Sequence, residues 1–129
     1  MMPTLVVLMA HGSSDPRWRA PFEALLERLA PVFSAQGQQL ALCYMERAQP
    51  TLEGVLETTA QSTTGPLKVV VLPLFMAAGA HYTEDITPLL AQVQAQYPQW
   101  HFNLQPPIGE HPKTQALLEA LALEALNCS

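Results

Sequence analysis

The sequence predicts an α/β fold in which a four-stranded parallel sheet is flanked by helices. Four short apolar runs alternate along the 129 residues with four segments whose apolar residues recur at helical spacing. The first and third runs are almost continuously apolar, as expected for strands that helices cover on both faces. Because the connections are short, this alternation predicts parallel strands joined by crossover helices, in a single domain over residues 1–129.

The first half of the chain supplies two strands and two helices. Leu5 to Ala10 is the first predicted strand. A helix follows from Pro16, and Pro31 predicts that this helix kinks or ends early. The second strand runs from Leu40 to Met45, and the second helix from Thr51 to Ser62. The helical positions expected to face the core are Phe22, Leu25, Leu26, Leu29 and Phe33 in the first helix and Leu52, Val55, Leu56 and Thr59 in the second.

The second half of the chain repeats the alternation. Leu67 to Leu74 is the third predicted strand and the most clearly buried one. Trp100, Phe102 and Leu104 alternate with polar residues, which predicts a half-exposed edge strand. We expect the spatial strand order 2-1-3-4 of flavodoxin-like sheets. Helices precede and follow the edge strand, with apolar positions at Ile86, Leu89, Leu90, Val93 and Tyr97 and at Leu117, Leu118, Leu121 and Leu126.

Composition argues against several classes of partner. The net charge is −5, with six Lys and Arg residues and no basic run, so nucleic acid and anionic membranes are not expected partners. The apolar runs are too short to span a bilayer, and the N-terminal run resembles a first strand more than a signal peptide. Cys43 and Cys128 show neither zinc-site nor disulfide spacing, so we expect a reducing, cytoplasmic location.

Two of the predicted strands end close to a histidine. His11 directly follows the first strand, and His81 comes after the short loop that follows the third. In an open parallel sheet, ligands bind beyond the carboxyl ends of the strands where the strand order reverses, here between the first and third strands. Glu46 lies at the same edge, after the second strand. Two imidazoles and a carboxylate suit a divalent metal of borderline softness or proton transfer, although either histidine alone is often only a hydrogen-bonded loop residue.

The turn after the first strand offers groups that could hold an anion. Gly12, Ser13 and Ser14 place backbone N–H groups and hydroxyls at the start of a helix, which is a natural anion cradle. Arg17 and Arg47 would add local positive potential to a chain that is acidic overall. Two further histidines have simpler interpretations: His101 as a surface residue of the edge strand, and His111 as a helix cap.

Several motifs resemble those of the short sirohydrochlorin chelatases of the CbiX/SirB type. The motifs are AHGSSDP at 10–16, MERAQP at 45–50, LPLFMAAGAHYTEDI at 72–86 and PPIGEHP at 106–112. They follow one another in the family's order over almost the whole chain. Ser14 departs from the pattern, because many relatives carry an arginine there.

The resemblance implies a class II chelatase that inserts a divalent metal into a tetrapyrrole without ATP. Co²⁺ is the expected metal, with Fe²⁺ and Ni²⁺ as alternatives, on a cobalamin or sirohaem type of pathway. The metal is then a substrate, and no organic cofactor is expected. Short members look like half of the longer two-lobed chelatases, so we expect a homodimer whose two copies complete the cleft for sirohydrochlorin.

The resemblance also implies roles for single residues. His11 and His81 match the family's metal-binding and catalytic histidines, and Glu46 matches an acidic residue of the site. Sirohydrochlorin carries many carboxylates, which would need positive or N–H-rich partners. The residues expected to bind it are Gly12, Ser13, Ser14, Arg17, Arg47 and Gly79.

Two other functions remain open for the same residues. A metal-binding carrier would use both histidines without any tetrapyrrole chemistry. A phosphoryl-transfer enzyme would use His11 as the nucleophile and the HGSS turn as a phosphate cradle. Against the second alternative, no arginine immediately precedes His11.

Overall fold

The structure is a computed structural model that describes residues 2–128, with the side chain of His81 excepted. Its centre is one sheet of four parallel strands, in the order β2-β1-β3-β4. The strands are β1 (Thr4–Ala10), β2 (Gln39–Tyr44), β3 (Leu67–Pro73) and β4 (Trp100–Leu104). The predicted fold class and strand order are therefore confirmed, and the strand bounds differ from the predicted ones by a single residue at most.

Within residues 2–128, three helices connect the strands, and a short 3₁₀ turn and a fourth helix follow β4. The helices are α1 (Pro16–Ala35), α2 (Leu52–Ser62), α3 (Ala80–Gln96) and α4 (Pro112–Ala125), and the 3₁₀ turn is Ile108–Glu110. Thr51 caps α2 by accepting a hydrogen bond from the Gly54 N–H at 3.2 Å. No helix within residues 2–128 has both the length and the apolar character needed to cross a bilayer.

Of the two outcomes expected at Pro31, a kink or an early end of α1, the early end does not occur, because the helix continues to Ala35. A proline inside a helix removes one backbone hydrogen bond and leaves the carbonyl of the preceding turn without its donor. Pro31 lies on the exposed side of α1, where water can reach that carbonyl. Gly37 then takes a left-handed conformation with φ of 72°, as a residue just beyond a helix end commonly does.

The two faces of the sheet differ in how much they bury. The face toward α2 and α3 holds the larger core, in which Val7, Val69, Val71, Leu56 and Val93 are completely buried. On the other face α1 lies over β2 and β1 and contributes a smaller core. Its members include Trp18, Phe22, Leu25 and Leu26 of α1 packed on Leu8, Ala10, Leu42 and Tyr44 of the strands.

Helix α4 does not pack on the sheet as the other helices do. It contacts mainly the 3₁₀ turn that precedes it, and none of its residues is buried. The expected apolar positions Leu117, Leu118 and Leu121 do belong to this helix, with Leu126 as its C-terminal cap. All four side chains are exposed to solvent. The apolar pattern thus located the helix correctly, but the leucines have no partner within the described part of the chain.

We predict that the thiol of Cys43 does not react with thiol reagents in the folded chain, and that it makes the fold less stable at alkaline pH. This residue of β2 is completely buried, and the loss of hydration on burial, followed by the negative charge of Glu53, raises the pKa of its thiol to about 12. A disulfide-exchange reagent at about pH 8 should therefore modify only the exposed Cys128 in the folded chain and both thiols after unfolding. Equal rates for both thiols in the folded chain would contradict the prediction.

The same raised pKa fixes the direction of a stability change. The folded-state pKa lies above the ordinary thiol value of 9.0, so the unfolded chain releases this proton first. The stabilisation is fully present below about pH 9 and is lost as the pH rises toward 12. We expect thermal unfolding midpoints to fall over that range. A Cys43→Ala variant should show a shallower fall.

Candidate functional site

The candidate site lies at the carboxyl edge of the sheet, where the hydrogen-bond ladder of β1 continues past the last strand residues. The Glu46 N–H donates to the His11 carbonyl at 3.0 Å, and the Leu74 N–H donates to the Met9 carbonyl at 2.8 Å. The chain after β2 and the chain after β3 are therefore attached to the two sides of the end of β1. This places His11 between its two neighbours, as expected at a switch point.

Gly12 permits the close contact between two of these loops. Its φ is +108°, a conformation that side-chain-bearing residues rarely adopt. A Cβ atom at this position would lie 1.7 Å from the Glu46 carbonyl oxygen, which is far inside van der Waals contact. Only glycine fits, so its first function is to bring the chain that carries Glu46 directly against the chain that follows His11.

The imidazole of His11 rests on a buried aromatic pair. Its ring stacks on Phe75 with a centroid distance of 4.0 Å and an interplanar angle of 22°. Phe75 in turn meets the ring of Tyr82 edge-on at 5.0 Å. Both supporting rings are buried, whereas His11 is exposed. The stack holds one face of the imidazole and leaves its edge, with the two nitrogen atoms, open to a ligand.

A cavity of about 670 Å³ opens beside this histidine. His11 and Glu46 both line it, so the structure brings these two predicted site residues together. Two further carboxylates, Glu53 at the start of α2 and Asp85 on α3, also line the cavity. With Tyr44 and Tyr82 on its wall as well, the cavity offers one imidazole, two phenols and three carboxylates. Its electrostatic character favours a cation.

His81 occupies the position in the backbone that the sequence predicts. It is the second residue of α3, directly after Ala80, and Gly79 is the N-cap. Its side chain lies outside the described structure, so its distance from His11 stays untested. The next residue, Tyr82, lines the cavity, and therefore the first turn of α3 borders the site.

Gly109 of the 3₁₀ turn packs against the start of the loop that precedes His81. The Gly109 N–H donates to the Phe75 carbonyl at 3.0 Å. A Cβ atom on Gly109 would lie 1.8 Å from the Met76 carbonyl oxygen, so no other residue fits there without movement. This contact holds the end of β3 and the aromatic support of His11 against the segment that follows β4.

The polar groups of the HGSS turn bond to neighbouring residues of the same segment and do not form an open site for an anion. The Ser13 hydroxyl accepts from the Asp15 N–H at 3.1 Å, and Arg19 donates to the Ser13 carbonyl at 2.8 Å. The Asp15 carboxylate caps α1 by accepting from the Arg17 N–H at 2.9 Å. Because a carboxylate already occupies this helix end, an incoming anion would meet a negative charge there. The expected cradle is not present in this form.

Arg17 and Asp15 form an ion pair on the surface. Arg17 donates through Nε and Nη2 to the two carboxylate oxygens, at 3.2 and 3.0 Å. This pair lowers the pKa of the Asp15 carboxyl. Since the Arg17 side chain is 91% exposed, it can leave Asp15 for another carboxylate at little cost.

The other predicted contact residues surround the site without lining its cavity. Arg47 is exposed, has a positive φ of 59° and makes no ion pair within the described residues. Ser14 is exposed, and Gly79 has open space around its α-carbon. Their expected contacts with substrate stay predictions.

Metal binding would need donors beyond the side chains that the structure describes. Among those, no three His, Cys, Asp or Glu side chains converge in a way that could hold a metal ion.

Within the described residues, the buried hydroxyl of Tyr82 lacks a hydrogen-bond partner. Burial and, to a smaller extent, the charge of Glu110 raise the pKa of this phenol. It stays a donor near neutral pH.

Sequence reasoning missed four residues of this site: Phe75, Tyr82, Glu53 and Asp85. The two acidic residues had a usable signal, since Glu53 follows the cap of α2 and Asp85 lies one helical turn after His81. The two aromatic residues had none, because the stack depends on how the loop after β3 folds over the end of β1.

Fold and site together define a class of protein: a parallel α/β domain with a histidine and carboxylates around a cavity at the carboxyl edge of its sheet. The chain belongs to the CbiX family, whose family model matches residues 5–125.

Two curated relatives carry the name sirohydrochlorin cobaltochelatase. The protein of Methanopyrus kandleri is 33% identical over 85 residues, which is 66% of this chain and 57% of the relative. The protein of Saccharolobus solfataricus is 34% identical over 85 residues, again 66% of this chain and 62% of the relative. The chain thus matches about three-fifths of the length of these curated relatives.

Two solved structures resemble this fold. A CbiX protein of Marinobacter aquaeolei VT8, assigned to cobalamin (vitamin B12) biosynthesis, is 32% identical with a TM-score of 0.78 and covers 98% of this chain and 100% of its own. The sirohydrochlorin chelatase SirB of Bacillus subtilis subspecies spizizenii, solved in complex with cobalt, is 26% identical with a TM-score of 0.67. That match covers 83% of this chain and 44% of SirB.

We predict that two glycines of the site respond differently to the same substitution. Gly12→Ala should destabilise the fold by at least about 2 kcal/mol, because of the left-handed φ and the clash with the Glu46 carbonyl. Gly79→Ala should change stability by less than about 1 kcal/mol, since the space there is open. Urea unfolding of the two variants measures the difference. Equal stabilities would show that the contact with Glu46 is not tight.

Proposed function

We propose that this protein inserts a divalent metal ion into sirohydrochlorin without ATP. The observation that carries the proposal is the single cavity lined by both His11 and Glu46 at the switch point of the sheet. Membership of the CbiX family and the names of the relatives support the same chemistry.

The side chains of the cavity fit the two requirements of metal insertion. A metal that is to be handed over must be held by an incomplete set of protein ligands, because a closed cage would retain it. The nitrogen edge of His11 and the carboxylate of Glu46 supply such a set, and His81 is the proposed second imidazole. Two pyrrole protons must also leave, and Glu46 or a neutral histidine can accept them.

The charges around the cavity suggest how the two substrates are kept apart. Glu46, Glu53 and Asp85 make the interior attractive to a cation and unfavourable to the carboxylates of sirohydrochlorin. The proposed contacts for those carboxylates therefore lie outside, at the exposed Arg17 and Arg47. The metal would approach through the acidic cavity, and the macrocycle would lie across its mouth.

Cobalt is the proposed metal substrate. The curated relatives are named cobaltochelatases, and the related SirB structure contains cobalt. Imidazole and carboxylate ligands also accept Fe²⁺ and Ni²⁺, so the donor set alone does not choose among the three metals.

We further propose that two copies of the chain pair and that the protein acts in the cytoplasm. A cavity open along one edge covers little of a flat macrocycle, whereas pockets usually enclose most of their ligand. A second copy related by a two-fold axis would cover the other side. The completely buried, reduced Cys43 suits a reducing compartment.

Of the two other functions, the carrier remains the stronger alternative. A carrier would use the same cavity and histidines but would not metallate sirohydrochlorin. The phosphoryl-transfer alternative has little support, because Asp15 occupies the helix end that was to hold a phosphate.

We predict that loss of either site histidine abolishes metal insertion. His11→Ala and His81→Ala should each lower the rate of Co²⁺ insertion at least about 100-fold, as expected when a metal ligand is removed. Glu46→Gln should slow insertion while preserving more of the affinity for Co²⁺, if the carboxylate acts as the proton acceptor. Absorbance spectra of sirohydrochlorin mixed with Co²⁺ follow the reaction directly.

The matched control for these variants is His101→Ala. His101 is an exposed histidine on β4, away from the carboxyl edge, and its removal should leave the rate unchanged. Near-normal rates in both site variants with Co²⁺, Fe²⁺ and Ni²⁺ would overturn the proposal. Tight Co²⁺ binding by the unaltered protein without any insertion would instead favour the carrier.

A further inference from the structure

A buried aromatic pair, Phe75 and Tyr82, links the two segments that carry the predicted site histidines. Phe75 is the ring on which His11 stacks, at a centroid distance of 4.0 Å. Tyr82 directly follows His81 in the first turn of α3, and its ring meets Phe75 edge-on at 5.0 Å and 85°. A chain of ring contacts therefore runs from the residue after β1, through the loop after β3, to the start of α3.

The ring of Tyr82 attaches the start of α3 to the rest of the domain. Among the described side chains of residues 76–85, Tyr82 alone is buried, with 7% of its surface exposed. The N-cap is Gly79, which has no side chain to cap the helix. Thr83 donates through its N–H and its hydroxyl to the Gly79 carbonyl, which is a contact within the same turn. The position of this turn relative to the sheet thus depends on the packing of one ring.

The ring of Phe75 gives His11 its orientation. The hydrogen bonds of the segment 11–15 use backbone groups and the side chains of Ser13 and Asp15, and none within residues 2–128 involves the His11 ring. Histidines that bind metals are usually oriented by a hydrogen bond to the second ring nitrogen. Here the stack on Phe75 takes that part, since Phe75 is only 3% exposed and a buried ring cannot move without displacing its neighbours.

We propose that Phe75 and Tyr82 are positioning residues that act as a pair, setting where the imidazole of His11 lies relative to the backbone of His81. The inference rests on the proposed metal site and names the residues that shape it. Each ring acts through a histidine and not on the metal itself. Such positioning matters because a misplacement of about 1 Å in a reacting group can lower a rate about 100-fold.

A pair that only stabilised the fold would give a different result from a positioning pair. Lost packing lowers the free energy of unfolding, but the molecules that remain folded keep a normal rate and a normal affinity for metal. A second aromatic pair provides the comparison. Tyr97 and Trp100 stack at 4.5 Å with an interplanar angle of 8°, and Trp100 is the first residue of β4, at the opposite edge of the sheet from the site.

Leucine substitutions remove each ring and keep its position apolar. Phe75→Leu and Tyr82→Leu should each weaken Co²⁺ binding and lower kcat for Co²⁺ insertion at least about tenfold, as changes to residues that orient metal ligands do. The KM for sirohydrochlorin should stay near that of the unaltered protein, because both rings are buried. The control Tyr97→Leu should lower the urea midpoint of unfolding and leave Co²⁺ affinity and kcat unchanged.

Two further variants test the ring of Tyr82 and the coupling of the pair. Tyr82→Phe keeps the ring and loses the hydroxyl, so it should retain Co²⁺ affinity and kcat. Phe75→Leu combined with Tyr82→Leu should lose little more than the more affected single variant, since both changes remove one contact. Equal losses in Tyr82→Phe and Tyr82→Leu, or losses that multiply in the double variant, would overturn the proposal.

The metal-free protein supplies a readout that is independent of activity. The Phe75 ring should displace the ¹H NMR resonances of the His11 ring, and Tyr82→Leu should alter those resonances through Phe75, whereas Tyr97→Leu should not. If Phe75→Leu does not fold, Phe75→Met fills more of the same space with the same expected losses.

The two proposals fail in different ways. An unaltered protein that binds Co²⁺ without inserting it would contradict the proposed function alone, and the Co²⁺ affinities of the variants would still test the aromatic pair. Folded Phe75→Leu and Tyr82→Leu variants with near-normal Co²⁺ affinity and kcat would overturn the positioning role. A loss of the same size in Tyr97→Leu would do so as well.

Discussion

The whole site depends on the way in which β1 bonds to both of its neighbours beyond the strand ends. The Glu46 N–H binds the His11 carbonyl, and the Leu74 N–H binds the Met9 carbonyl. Neighbouring parallel strands lie ~4.8 Å apart, so these bonds bring three loops within reach of one ligand. Without them, an imidazole on one loop and a carboxylate on another would have no defined separation. The close contact of Gly12 with Glu46 and that of Gly109 with Met76 serve the same purpose on either side.

This arrangement makes a site that is rigid on one side and open on the other. Phe75 and Tyr82 are buried and hold one face of the His11 ring, which limits how far the imidazole can move. Its nitrogen atoms and the Glu46 carboxylate still face a large cavity. A site built to retain a metal would enclose it, whereas a site that delivers a metal must leave room for the acceptor. An open cavity is therefore what the proposed transfer of a metal to a second substrate requires.

Much of the fold could be predicted because the sequence pattern and the packing agree. The apolar run of β1 is buried over most of its length, so its continuous character identifies it as a central strand. The third strand was expected to be the most clearly buried one, but only alternate residues of β3 are fully buried, since Lys68 is exposed and Val70 and Leu72 are half-buried. The helix through Pro31 could not be predicted, since the cost of a proline depends on whether its freed carbonyl meets water. The leucines of α4 predicted a helix correctly but not what covers it, because periodicity carries no information about the partner.

For the site too, some features could be predicted from the sequence and others only from the structure. His11 and Glu46 were predictable, because each follows a strand and parallel strands end at one edge. The anion cradle was expected from the HGSS turn, but the Asp15 carboxylate fills the helix end, and that depends on one side-chain rotamer. The stack of His11 on Phe75 depends on a loop conformation that no local pattern encodes.

The most direct test of the central claim is the cobalt K-edge X-ray absorption spectrum of the Co²⁺-loaded protein. The account predicts nitrogen and oxygen ligands with the outer scattering that imidazole rings produce. His11→Ala should lose part of that imidazole signal, and His101→Ala should leave the spectrum unchanged. A spectrum with oxygen ligands only, or one that His11→Ala does not alter, would contradict the assignment of His11 as a metal ligand.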